Sequence, residues 1–236
     1  MSTLLMRLAA PMQAWGLDSK YDRRNTERFP TKSGVIGLVA SALGLRRNEC
    51  IEHLQELRFG VRIDREGQLL RDYHTVKSAK SAYVTHRYYL ADAVFLAGLE
   101  GEDNCLKMIG NALERPQYPL FLGRRSCPPE GKLLLGIRND KSLLDALQEE
   151  PWLISAWLRS KEPADVYLRI FADADVDSEK AFFLRDMPCS FDQNHRKYSF
   201  RRVSEGRPKE VTGRYNAQAV MENGPVHDPM LELEVE

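Results

Sequence analysis

Apolar and polar positions along this chain fall into short runs whose period changes repeatedly. Residues 3–9 (TLLMRLA) are nearly all apolar, the mark of a short buried strand. APMQAWG then opens a loop at Pro11 and closes it at Gly16. Residues 17–32 are polar and basic without period, and predict a long loop of the kind that usually carries function. Ser33 is placed as a helix N-cap, with Val35, Leu38, Val39 and Ala42 at helical spacing and Gly44 as the stop. Asn48 is positioned to cap a second short helix with Ile51 and Leu54 inward. Residues 57–64 alternate as a strand, Gly67 marks a turn, and 88–99 predict a further strand. Between them, residues 71–87 are longer than a hairpin needs and predict an extended protrusion. Residues 103–114 have helical spacing at Leu106, Ile109 and Leu113, Pro116 stops the helix, and YPLFLG (118–123) predicts a strand.

The order strand, helix, strand, strand, helix, strand predicts an α+β fold: a ferredoxin-like, RRM-like βαββαβ domain over residues 1–129. After Pro129 the pattern changes. Residues 133–137, 165–173 and 181–187 predict strands and 143–147 a short helix, so 130–220 is expected to form a smaller β-rich C-terminal unit. Residues 221–236 form an acidic tail.

The 236 residues are 43% apolar, enough for a sizeable core. Basic and acidic residues balance at 34 each, so no global field draws the chain to nucleic acid or anionic lipid. The local balance is uneven. Residues 20–47 hold seven Lys/Arg against two acids and 185–214 hold eight against four, whereas 145–180 hold nine acids against four bases. These segments form either opposed binding faces or an unevenly sampled solvated surface. The four cysteines lie far apart with no CxxC pair, so no metal site is expected and no cofactor is implied. With no signal peptide and no apolar run of ~18 residues, the expected location is the cytoplasm, away from membranes.

Three stretches carry candidate chemistry. TKSG (31–34) puts Lys32, Ser33 and Gly34 at a helix start, where free N–H groups favour a phosphate; the same residues serve equally as the cap of a core helix. FLGRRSCPP places Arg124, Arg125 and Ser126 beside Cys127, a small packing residue unless a histidine reaches it. Tyr73, His74 and Lys77 are close enough in sequence to supply acid–base groups for metal-free RNA cleavage, or to be plain surface residues. Loop aromatics such as Trp15, Tyr73 and Tyr118, interleaved with Arg24, Arg28, Lys32, Arg71, Lys77 and Arg87, favour single-stranded RNA over a small-molecule pocket.

Taken together, LMRLAAPMQAWG (5–16), RNTERFPTKSGVIGLVASALGL (24–45), LRDYHTV (70–76), RYYLADAVF (87–95) and QYPLFLGRRSCPP (117–129) resemble the CasD family. This is the type I-E CRISPR Cascade subunit of the fifth Cas family, in the RAMP superfamily. The resemblance covers the first 130 residues or so. It implies an RRM-like domain with a thumb-like protrusion and a non-catalytic role in antiviral defence, holding the 5′ handle of the CRISPR RNA at one end of the complex. The implied partners are that RNA, the adjacent Cascade backbone subunit, the large subunit and, through the complex, target DNA. The expected RNA contacts are Trp15, Arg24, Arg28, Lys32, Ser33, Gly34, Arg71, Tyr73, His74, Lys77, Arg87, Tyr118, Arg124, Arg125 and Ser126, with no catalytic residue. In a related subtype the fifth-family protein is itself the processing ribonuclease, so a metal-independent endoribonuclease is the alternative.

Overall fold

In the computed structural model, which describes residues 1–17, 22–77, 81–175, 178 and 180–212, the first apolar run becomes β1 (Ser2–Ala9). Lys20, Lys80, Asp177 and the acidic segment from Met221 lie outside the described residues. Next come β2 (Met12–Gln13), β3 (Arg23–Arg24), α1 (Lys32–Leu43), α2 (Glu52–Gln55) and β4 (Arg58–Arg65). A hairpin of β5 (Gln68–Lys77) and β6 (Ala82–Ala91) precedes β7 (Val94–Gly101), α3 (Asp103–Glu114) and β8 (Leu134–Arg138). The chain continues through α4 (Leu143–Glu149), α5 (Ala156–Arg159), β9 (Asp165–Leu168), β10 (Ile170–Asp173), β11 (Phe182–Ser190), β12 (Lys197–Glu205) and β13 (Lys209–Thr212).

The α+β class is as expected. Seven strands form one antiparallel sheet in the order β11-β12-β10-β4-β7-β1-β8, so strands from both sides of residue 129 share it. Successive side chains of a strand point to opposite faces, and both faces of the central strands β10, β4, β7 and β1 are covered. Leu4, Met6, Leu8, Phe59 and Phe95 pack on the α1–α3 side, while Leu5, Leu96, Ile170 and Ala172 pack under α4. The protrusion is the β5–β6 hairpin, whose outer part is exposed on both faces.

Several expectations change. Thr31, not Ser33, caps α1: its Oγ1 accepts from the Gly34 N–H at 3.2 Å. Gly44 ends the helix at φ 81, as its position predicts. Asn48 caps nothing; α2 begins after Ile51 without a side-chain cap. The run 88–99 is two strands, broken where Asp92 turns at φ 55 and donates its N–H to the Pro11 carbonyl. Residues 118–123 form no strand. Leu122 bonds to Cys127 and Gly123 turns at φ 82, which folds the segment back on itself, and β8 fills the next sheet position. The run 165–173 also divides: β9 pairs with β13, and β10 joins β4 and β12.

Two buried ionic clusters join the halves of the chain. Arg62 grips Asp64 with Nε and Nη2 at 2.7 and 2.9 Å, and donates to the carbonyls of Leu147, Glu150 and Pro151. It thereby satisfies the open carbonyl end of α4. In the second cluster, Asp186 takes Arg201 in a two-pronged bond at 2.6 and 2.9 Å and accepts the Lys32 N–H at 2.8 Å. Asp173 pairs with Lys32 Nζ at 3.0 Å and Arg201 Nη1 at 2.6 Å. Two acids thus balance two bases in a dry setting, the arrangement in which buried charge is tolerated.

Candidate nucleic-acid interface

The second cluster decides what the start of α1 can do. Its Lys32 and Gly34 N–H groups are already used by Asp186 and Thr31. Burial lowers the Lys32 pKa, with Asp173 opposing that shift. Burial also works against the Arg201 charge, but the bonds to Asp186 and Asp173 hold its pKa above the ordinary arginine value. The Lys32 and Gly34 N–H groups of the expected phosphate seat are therefore taken by the protein's own carboxylate and cap, while Ser33 and Gly34 line the cleft described below. Lys32 is 3% exposed and does not line that cleft.

Trp15 is corrected in the same way. It is 1% exposed, and its Nε1 donates to Gln13 Oε1 at 3.1 Å. A Cβ at Gly34 would come within 2.8 Å of its ring, so glycine is needed there for helix–indole packing. The indole is packed in the core and also lines the cleft described below.

Arg124 and Arg125 separate although adjacent. The Phe121–Cys127 turn is fastened by Ala14 N–H to Leu122, Leu122 N–H to Cys127 and Cys127 N–H to Arg124. Any Cβ at Gly123 would fall 1.6 Å from the Ala14 carbonyl oxygen. Within this turn Arg124 folds inward over the Tyr89 ring at 4.4 Å and donates to the Arg24 carbonyl at 2.9 Å. Arg125 and Ser126 point out and are exposed. Cys127 is buried, and burial pushes its thiol pKa up, against thiolate formation.

At the hairpin base, β3 runs parallel to β6 and places Arg23 opposite His86 and Arg24 opposite Arg87. Register then sorts the hairpin residues. Arg71 and Tyr73 lie opposite Tyr88 and His86 on one face, with Lys77; His74 lies opposite Thr85 on the other, with Arg87. Arg71 donates to His86 at 3.3 Å, and His74 is bonded to Asp72. The Nε of Arg87 and the Nη1 of Arg124 are buried and have no hydrogen-bond partner among the described residues. Arg28 and Tyr118 are exposed but do not line the cleft described next.

That cleft, of about 260 Å³, lies between α1 and the Phe121–Cys127 turn. Ser33, Gly37 and Ser41, spaced one helical turn apart, form its floor. Arg46, Arg47 and Arg196 stand at its rim with Tyr198, and none of its lining residues is Asp or Glu. All three arginines are exposed. Glu49, close by in sequence, accepts the Arg46 backbone N–H at 2.9 Å. The volume falls below the ~300–1,000 Å³ usual for small-molecule pockets, and suits part of a chain better than a whole cofactor. Sequence reasoning assigned no role to Arg46, Arg47, Arg196 or Tyr198. The available signal was an arginine pair directly after a helix stop, inside a basic segment.

Among the described residues no group of three or more His, Cys, Asp or Glu is placed to hold a metal ion, and no helix is long and apolar enough to cross a membrane. All four cysteines are free thiols.

Residues 3–204 match the sequence profile of the CRISPR-associated protein family Cas_Cas5. The chain is 39% identical over 158 residues to the CRISPR system Cascade subunit CasD of Escherichia coli (strain K12), across 57% of this chain and 70% of that one. A solved Cas protein aligns with TM-score 0.69 and 38% identity, over 88% of this chain and 95% of the other. A chain of a CRISPR RNA-guided surveillance complex aligns with TM-score 0.72 and 32% identity, over 98% and 97%.

Proposed function

This chain belongs to the CRISPR-associated Cas5 family, and from that premise we propose that it is a non-catalytic subunit of a Cascade surveillance complex, holding the 5′ handle of the CRISPR RNA. The observation that carries the reading is the acid-free cleft beside α1, rimmed by Arg46, Arg47 and Arg196. Three exposed guanidinium groups with no carboxylate lining the cleft attract a polyanion, and the small side chains of the floor let a backbone approach closely. Arg125 and Ser126 extend the basic rim outward from the turn, and Arg23, Arg24 and Arg71 extend it along the hairpin base. The hairpin itself, with Leu69, Tyr73, Tyr83 and Val84 exposed, is the surface offered to the neighbouring backbone subunit. The large subunit docks nearby, target DNA is reached through the assembled complex, and the setting is the reducing cytoplasm.

The rival reading, a metal-independent endoribonuclease, needs Tyr73, His74 and Lys77 to converge on one phosphate. Hairpin register sends His74 to the face opposite the other two, which supports the holding role. The test is incubation of the full chain with labelled CRISPR repeat RNA in EDTA. Binding without cleavage is expected. Site-specific cleavage that disappears in His74→Ala would overturn the reading.

A further inference from the structure

The buried cluster at the start of α1 ties that helix to the strand pair whose tip completes the cleft. β11 slips register between Leu184 and Met187, and Asp186 sits inside that irregularity. Such a slip re-aims a side chain, and here the Asp186 carboxylate, 0% exposed, meets α1. Its Oδ2 accepts the Lys32 N–H at 2.8 Å, one of the open N–H groups of the first helical turn. Its two oxygens also hold Arg201 of β12 at 2.6 and 2.9 Å. One carboxylate therefore fastens α1, β11 and β12 together. From there the pairs Met187–Ser199, Pro188–Tyr198 and Ser190–Lys197 carry the ladder to the hairpin tip. Phe191, Arg196 and Tyr198 at that tip line the cleft, and Asp186 does not. The Phe191 ring lies 3.6 Å from where a Cβ would stand on Gly37, so the tip rests on α1. Gln55 of α2 adds a weaker tie, donating Nε2 to the Cys189 carbonyl at 3.3 Å.

We propose that Asp186 is a positioning residue for RNA binding: by capping α1 from β11 it fixes the hairpin tip over the cleft and holds Arg196 and Tyr198 where RNA meets them. The inference rests on the reading that the cleft holds RNA. The two sides of the rim differ in how they are placed. Arg46 and Arg47 follow directly on Gly44, the stop of α1, so the helix itself carries them. Arg196 and Tyr198 come from far along the chain and reach α1 only through the hairpin. The Asp186 and Gln55 bonds join that hairpin to α1 and α2, and the Asp186 bond is the buried one. A charged acceptor makes the stronger hydrogen bond, and a dry setting strengthens it further. Asp186 thus acts on the ligand through Arg196 and Tyr198 without touching it.

The test is fluorescence anisotropy of the full chain with a 5′-labelled oligouridylate of about 12 nucleotides, read across a range of salt concentrations. Asp186→Asn keeps the shape of the side chain and removes its charge. It should weaken binding and make the log–log salt slope shallower by about 0.7, the share of one phosphate contact. Arg196→Ala should then add nothing in the Asp186→Asn background. Arg46→Ala should cost its full share in either background, a selectivity that general loss of stability would not produce. Wild-type slope and affinity in Asp186→Asn would overturn the proposal. So would an Arg196→Ala effect as large in that background as in wild type, or loss of the Arg46→Ala effect there. If Asp186→Asn does not fold, Arg201→Lys, which keeps the charge and gives up the two-pronged grip, takes its place with the same expectations. If Arg46→Ala/Arg47→Ala weakens binding and Asp186→Asn does not, the cleft stands and only the positioning role fails. If the arginine variant also changes nothing, the cleft reading fails and the proposal with it.

Discussion

The buried cluster around Asp173 and Asp186 and the rim of the α1 cleft use the same kinds of side chain to opposite ends. In the first, Lys32 and Arg201 face two carboxylates and are almost fully shielded. In the second, Arg46, Arg47 and Arg196 stand exposed around a cleft with no lining carboxylate. A cation with a buried partner is spent on the fold, and one that faces water has its charge left for a ligand. Arg124 and Arg125 repeat the contrast within a single turn, one stacked on Tyr89 and the other exposed.

Breaking the buried side of the comparison should be costly. Arg201→Met leaves Asp186 without its two-pronged partner, and removal of one member of a buried charge cluster costs about 3–5 kcal/mol. Urea denaturation should report this loss, whereas the same substitution at Arg46 should stay within about 0.5 kcal/mol. Gly123→Ala comes next. The left-handed backbone adds about 1–2 kcal/mol, and the collision with Ala14 forces a shift worth about 1–3 more. Thermal unfolding should fall accordingly, and Arg125 should lose its placement together with the turn.

Arg124→Ala should cost about 1–2 kcal/mol, by losing its stack on Tyr89 and its bond to the Arg24 carbonyl. Arg125→Ala should leave stability within about 0.5 kcal/mol and weaken RNA binding instead. Equal stability losses at both positions would erase the distinction drawn within that turn. The smallest expected effect is on the exposed Arg169–Glu205 pair, where the hydrogen bond from Arg169 holds Glu205 below its ordinary 4.5. A lowered carboxylate pKa adds stability that is full above about pH 4.5 and fades as the pH falls through the lowered value. Glu205→Gln should therefore cost under about 1 kcal/mol at neutral pH and nothing in strong acid, as pH-dependent unfolding would show.

The sequence was legible where one local rule governed. The apolar period placed α1 and α3, and Gly44 ended α1 because only a left-handed residue fits there. It misled at YPLFLG, whose strand-like composition yields to a turn pinned by Gly123 against Ala14. At the candidate site, Trp15, Lys32, Ser33 and Gly34 carry residue types that suit RNA; Trp15 and Gly34 are held by the nearby Gln13 and Thr31, but the acids that occupy Lys32 come from distant parts of the chain. Asp173 and Asp186 lie 141 and 154 residues from Lys32, and no local pattern announces such pairs. Arg196 and Tyr198 escaped for the same reason: only the folding of the β11–β12 hairpin toward α1 brings them to the cleft.

The most direct test of the central claim is the salt dependence of affinity for CRISPR RNA 5′-handle oligonucleotides, wild type against Arg46→Ala/Arg47→Ala/Arg196→Ala. Each single-strand phosphate contact contributes about 0.7 to the log–log slope. The account predicts an unchanged folded state, weaker binding and a slope shallower by about 2. An equal slope and affinity in the triple variant would contradict it.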